Sequence, residues 1–225
     1  MTSEGVLQSL RRAAGNTKHA ETSSWVAAQL RQAIADGRLA PGAKLAEEEL
    51  REALGVSRNT LREAFATLTT ERVVTRIPNR GVFVSHPTAE DIREIYRVRR
   101  LVEPGALLWS PAQPTDGLAG VVRTARAAAA VGDVPAMAGA NQEFHRGIVA
   151  RAGSERLSAL MEQVLAEMRL VFATMGADPR FHEPYVEENA KILGLLEAGR
   201  NAAAAEAMAQ YLDRAEHQLL EAIAS

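Results

Sequence analysis

The chain contains no cysteine. That excludes disulfides, thiolate metal sites, iron–sulfur clusters and cysteine nucleophiles, and it suits a reducing compartment. No apolar run approaches the roughly 18 residues that a membrane-spanning helix requires. The opening stretch MTSEGVLQSLRRAAGNTKHAETSS lacks the continuous apolar segment of a secretory signal. A cytoplasmic protein without membrane partners is therefore expected, with a mobile leader over residues 1–24. A strong charge of one sign is missing too, since the formal net charge is only −2.

The small net charge hides an asymmetry. Residues 1–86 carry 12 Lys+Arg against 9 Asp+Glu, whereas residues 87–225 carry 14 against 19. A basic front and an acidic remainder suggest one part that meets phosphates and one that does not. With 225 residues, 47% of them hydrophobic, the chain is long enough for two small globular domains.

Periodicity places the first domain at residues 25–86. Val26, Leu30 and Ile34 share one helical face, and Gly37 stops that helix. A second helix from Ala46 buries Leu50 and Leu54 and ends at Gly55. Ser57 caps a third, with Leu61, Ala64, Phe65 and Leu68 inward. Two strand-like runs, Val73–Ile77 and Val82–Val84, flank the turn Pro78-Asn79-Arg80-Gly81 and predict a hairpin. From Thr88 onward strand signals disappear. Six helices are expected at about 88–110, 116–131, 133–152, 155–176, 183–198 and 201–223, packed as an antiparallel bundle over residues 87–225. The fold class is mostly α.

The segment Leu54-Gly55-Val56-Ser57-Arg58-Asn59-Thr60-Leu61-Arg62 has the form of a helix-turn-helix. Arg58 and Arg62 are four apart and share a polar face, with Asn59 and Thr60 beside them. Arginine can fork onto guanine, and Ser, Thr and Asn can hold phosphates or base edges. Asn79 and Arg80 at the hairpin tip are placed to act as a wing. The competing reading leaves Ser57 as a helix cap alone and Arg58 as a solvated arginine, and pairs Arg62 with neighbours of Glu63 or with Glu48 on the preceding helix.

Three motifs carry a resemblance: Leu39-x-Pro41-Gly42-x2-Leu45, Leu54-Gly55-Val56-Ser57-Arg58-x2-Leu61-Arg62-Glu63-Ala64 and Arg80-Gly81-x-Phe83-Val84. Together they resemble the winged helix-turn-helix of GntR-family transcription regulators. The resemblance implies that Ser57, Arg58, Asn59, Thr60, Arg62 and Gly81 approach DNA. Glu48 stands where a relative carries a DNA-contacting arginine, and Asn59-Thr60 replaces the commoner Thr-Pro pair.

The helical remainder resembles the FCD-type effector domain of the FadR branch in its six-helix, VanR-like form. Ile95-Tyr96-x2-Arg99-x3-Glu103, Asn141-x3-His145 and Gly153-Ser154-x2-Leu157 carry that likeness. It implies a site for small organic acids and, in many members, a divalent metal held by an Asp or Asn and three His. The corresponding positions here are Asn141, His145, Asn189 and Tyr211. Amide and phenol are poor ligands for transition metals, so no cofactor is expected, and Asn141 and His145 remain as the ligands of a degenerate site.

Arg99, Asn141, His145, Asn189 and Tyr211 are then the candidate effector residues, with Arg99 either anchoring a carboxylate or pairing with Glu103. Two readings of the polar cluster stand: it binds a ligand, or its members satisfy one another. No nucleophile–base motif suggests an enzyme. The expectation is a homodimeric repressor bound to a palindromic double-stranded DNA operator and released by a small carboxylate. A constitutive repressor whose helical domain only dimerises is the alternative.

Overall fold

The computed structural model describes residues 22–35, 37–111, 113–174 and 179–224. Most of the leader expected over 1–24 lies outside them. The chain divides into two compact units. One runs to Pro87 and takes in Ala166–Thr174; the other holds Thr88–Leu165 and the residues from 179 onward.

The first unit contains helix α1 (Thr22–Ala35), strand β1 (Lys44–Leu45), helices α2 (Glu47–Leu54) and α3 (Arg58–Thr70), and strands β2 (Val74–Ile77) and β3 (Gly81–Val84). Its core is built from the apolar positions that the helical spacing singled out. Val26, Leu30 and Ile34 of α1 lie with Leu50 and Leu54 of α2 and Leu61, Phe65 and Leu68 of α3, all buried. Arg31 of α1 grips Glu71, just past α3, with two parallel bonds of 2.9 and 2.6 Å, which tie α1 to the C-terminal end of α3.

β2 and β3 form the expected antiparallel hairpin, with Thr75 opposite Phe83 and Arg76 opposite Val82. A third strand joins them. β1 is only two residues long and pairs Lys44 with Phe83, giving the order β1-β3-β2. So short a strand leaves no alternation to read in the sequence.

Six helices follow: α4 (Ala89–Trp109), α5 (Asp116–Ala130), α6 (Val134–Ala150), α7 (Glu155–Thr174), α8 (Pro179–Glu197) and α9 (Asn201–Ala224). All belong to the second unit except the part of α7 from Ala166 onward, which belongs to the first. α4 starts from a reciprocal capping box. The Asp91 N–H donates to Thr88 Oγ1 at 3.2 Å, and the Thr88 N–H donates to Asp91 Oδ2 at 2.8 Å. Asp133 caps α6 by accepting from the Ala136 N–H at 3.0 Å.

α8 begins at Pro179, four residues before the expected start. A proline fits the first turn of a helix, where its missing N–H has no partner to lose. α4 packs along α9, and α5 along α6, with α8 against both of the latter. No helix among the described residues is long and apolar enough to cross a membrane.

Candidate nucleic-acid interface and buried polar site

The turn between α2 and α3 is built as its sequence requires. Gly55 sits in the left-handed region at φ 66°, and its N–H closes onto the Arg51 carbonyl. Ser57 is extended, and its hydroxyl accepts from the Thr60 N–H at 3.1 Å, so the capping role is realised. The same oxygen lies 2.8 Å from Thr60 Oγ1.

Leu61, Ala64, Phe65 and Leu68 then face inward, while Arg58, Asn59 and Arg62 face solvent from the first turns of α3. Asn59 donates to Glu63 at 3.0 Å. At the hairpin tip Asn79 adopts φ 59°, a conformation in which asparagine is enriched. Gly81 adopts φ 114°, and a Cβ there would meet Lys44 at 3.4 Å. Arg80 is exposed and carries its guanidinium over the Phe83 ring, 5.9 Å from the centroid.

Thus α3 and the hairpin tip each present part of the residue set expected to read DNA. Two features of this surface were not foreseen. Glu47 lies between the two arginines of α3, 3.5 Å from Arg58 and 3.2 Å from Arg62. Glu48, which the competing reading offers as a partner of Arg62, instead bonds Arg51, which holds its carboxyl below the ordinary range. Further, Arg62, Phe65 and Thr69 of α3 and Arg76 and Val82 of the hairpin line a groove of about 260 Å³. Arg76 is exposed and lies on the same face of the hairpin as its partner Val82. Its signal was available, as a basic residue inside the β-run that leads to the hairpin tip, but only the tip residues Asn79 and Arg80 were taken as the wing.

In the helical unit, α4, α6, α8 and α9 bring Arg99, Asn141, His145, Asn189 and Tyr211 into one hydrogen-bonded chain. Arg99 Nε donates to Glu103 Oε1 at 2.6 Å. Glu103 Oε2 lies 2.5 Å from His145 Nδ1, and His145 Nε2 lies 3.0 Å from the Tyr211 hydroxyl. Asn141 Oδ1 is 2.9 Å from that hydroxyl and accepts from Asn189 Nδ2 at 2.7 Å. Arg99 lies over the Tyr96 ring, 4.9 Å from its centroid. Glu103 is wholly buried, and it is the member that sequence reasoning treated only as an alternative partner for Arg99.

The electrostatics follow from burial and pairing. Burial pushes the Glu103 carboxyl up, but Arg99 and then His145 overcome it and hold it down at about 2. Burial lowers His145, with Glu103 opposing and Arg99 assisting. Tyr211 is raised, chiefly by burial. An ionised Glu103 requires the proton of His145 on Nδ1. Neutral His145 then presents Nε2 as an acceptor, and the single Tyr211 proton is wanted by both that nitrogen and the Asn141 oxygen. Turning both amides end for end lets Asn141 donate to Tyr211 and restores the count.

This set does not fit a divalent metal. Both Glu103 oxygens are engaged, His145 is held at both nitrogens, and the two amides are bonded to each other. No group of three His, Cys, Asp or Glu suited to a metal occurs among the described residues. His182, a conceivable substitute ligand, is buried and lowered by that burial to about 4. His217 is exposed and turned onto the Asp213 carbonyl of its own helix at 2.7 Å. Two atoms of the buried chain have no partner: Arg99 Nη2 and Asn189 Oδ1.

Comparison with known proteins adds the following. Residues 22–84 match the family described as bacterial regulatory proteins, gntR family, and residues 94–214 match the FCD domain. A GntR transcriptional regulator from Rhodococcus sp. RHA1, solved by crystallography, is 41% identical with a TM-score of 0.84, covering 89% of this chain and 98% of its own. An HTH-type transcriptional regulator in an unstable DNA locus of Streptomyces ambofaciens is 33% identical over 56% of this chain and 54% of its own length. The gluconate operon transcriptional repressor of Bacillus licheniformis is 37% identical over 37% of this chain and 34% of its own. The matched region thus spans about half, or less, of these two curated relatives.

Proposed function

Because the chain belongs to the GntR family of bacterial transcription regulators, with an FCD domain following its DNA-binding domain, we propose that it is a ligand-responsive repressor that binds a palindromic operator as a homodimer. The family consists of DNA-binding transcription regulators rather than enzymes. One observation carries the operator reading. Arg58, Asn59 and Arg62 stand exposed on the first turns of a capped helix whose opposite face is core, and the unit also carries a hairpin tip with Asn79 and Arg80. Ser57 and Thr60 at the helix start and Gly81 in the wing complete the DNA-binding set. Repression is supported by relatives named as repressors, that of the gluconate operon among them.

Dimerisation draws support from α4. Leu101 is 81% and Trp109 85% exposed on that helix, with Leu108 exposed beside them, an apolar surface that a second copy would cover. A bacterial repressor that acts at an operator works where the DNA is, in the cytoplasm. In the helical unit the buried chain from Arg99 to Asn189 is the effector site, and a small polar metabolite there shifts the protein away from the DNA-binding arrangement. Such a ligand must bind the two arrangements unequally.

Footprinting and gel-shift on the intergenic DNA beside the gene test the operator reading. Protection of a two-fold symmetric site that is weakened in Arg58→Ala and Arg62→Ala is expected; unchanged affinity in both variants would remove α3 as the reading helix. The second reading is a constitutive repressor, favoured by the fact that most polar atoms of the buried chain already satisfy one another.

A further inference from the structure

Arg99 is the cation that an acidic ligand would seek, and its charge is already matched. The pair Arg99–Glu103 is sealed from solvent, with side chains 3% and 0% exposed. The other Glu103 oxygen is closed by His145. The next basic group along α4, Arg100, is itself held by Asp213 and Glu216 of α9 at 3.2 and 2.6 Å. The buried set therefore contains one cation and one anion. A carboxylate placed beside it would add a second buried negative charge next to Glu103 without a cation to offset it, which low-polarity surroundings penalise heavily.

What the site still lacks is hydrogen-bond partners, not charge. Arg99 Nη2 and Asn189 Oδ1 are buried, unpartnered and stand at the two ends of one continuous chain running through Glu103, His145, Tyr211 and Asn141. Guanidinium nitrogen only donates, so Nη2 calls for an acceptor. The outer half of the Asn189 amide calls for a donor as oriented, and for an acceptor if both amides are reversed. A carbonyl oxygen suits the first end, and a carboxamide suits either state of the second.

We propose that the effector is a small uncharged molecule carrying a carbonyl or carboxamide group, bound without a metal ion, whose oxygen accepts from Arg99 and whose polar group completes Asn189. This rests on the reading of the helical unit as a sensor.

The test is a thermal-shift titration of the full chain in the presence of a chelator, using matched probes: benzamide against benzoate and propionamide against propionate. An amide should raise the unfolding midpoint at a concentration about tenfold or more below that of its parent acid. Glu103→Gln, which frees the Arg99 charge, should reverse that order. If Glu103→Gln does not fold, Asn189→Leu leaves the ion pair intact and should abolish the response to the amide; a retained response overturns the proposal. A wild-type preference for the acids overturns it while leaving the sensor reading in place, as does stabilisation seen only in a parallel titration with a divalent metal in place of the chelator. If none of the four probes moves the midpoint, the chain from Arg99 to Asn189 is a closed structural network, and the sensor reading falls with the proposal.

Discussion

Glu103 and His145, 42 positions apart in sequence, meet at 2.5 Å across α4 and α6 with neither side chain more than 1% exposed. A carboxylate in this position depends on its partners for its charge, which makes the helical unit sensitive to acid. His145 and His182 are held below their ordinary value near 6.5, the latter at about 4 through burial. A histidine lowered on folding binds protons more readily when unfolded, so its contribution is lost as pH falls below about 6.5. Glu103, held down at about 2 against an ordinary 4.5, contributes stability above 4.5 that is lost between there and 2. The melting midpoint should therefore fall in two stages, first below pH 6.5 and again below 4.5. Circular-dichroism melts across pH 3 to 8 read this directly. His182→Gln should shrink the first stage to the share that His145 contributes, and a midpoint constant from pH 8 to 5 would contradict it.

The elements of the DNA-binding unit were legible because each is bounded by a residue with a local reason to be there. Gly55 supplies the left-handed turn, Ser57 the cap and Asn79 the tight tip. The polar members of the helical site were found by their residue types at the family's positions. Glu103 was harder to assign. Spacing put it one turn from Arg99 on the same helix, but only the packing of α4 against α6 reveals that its second oxygen serves His145. Glu47 was missed for a similar reason, since its contact with Arg58 and Arg62 depends on how α2 crosses α3.

Ser57 has a structural role that can be separated from a DNA-binding one. Ser57→Ala removes the acceptor for the Thr60 N–H and should cost about 1 kcal/mol of stability. Ser57→Asp keeps an acceptor at the same place and adds a favourable charge at the helix start, so the melting midpoint should stay near wild type. Against DNA that charge is repulsive, and operator affinity should drop sharply. Equal affinity for Ser57→Asp and wild type would show that the hydroxyl stands away from the phosphates.

Arg76 belongs to the groove between α3 and the hairpin, with Arg62 on the opposite side. Among the described residues it makes no ion pair, so its charge is available to a phosphate. Arg76→Ala should weaken operator and non-operator DNA alike and reduce the dependence of log affinity on log salt by about one. Measuring both slopes by fluorescence anisotropy separates this from base reading, which would affect the operator alone. An unchanged slope would confine DNA contact to α3 and the hairpin tip.

Glu47 is the residue whose removal should strengthen DNA binding. Its Oε1 lies 3.2 Å from Arg62 Nε and 3.5 Å from Arg58 Nε, so one carboxylate draws on both arginines of the reading face. All three side chains are at least a third exposed, and such pairs contribute only about 0.2–1 kcal/mol each. The fold therefore gains little from them. A phosphate arriving at α3 must displace or share Glu47 and meets its negative charge in doing so. Glu47→Gln keeps the side-chain volume and removes that charge, so affinity should rise by a factor of about two to five, with little change in melting midpoint. The gain should shrink as salt is raised, because exposed charges are screened within about 10 Å at 0.1 M. Glu48→Gln should have a smaller effect, since Glu48 is engaged mainly by Arg51. Weaker binding by Glu47→Gln would mean instead that the carboxylate holds Arg58 and Arg62 in the geometry the operator needs.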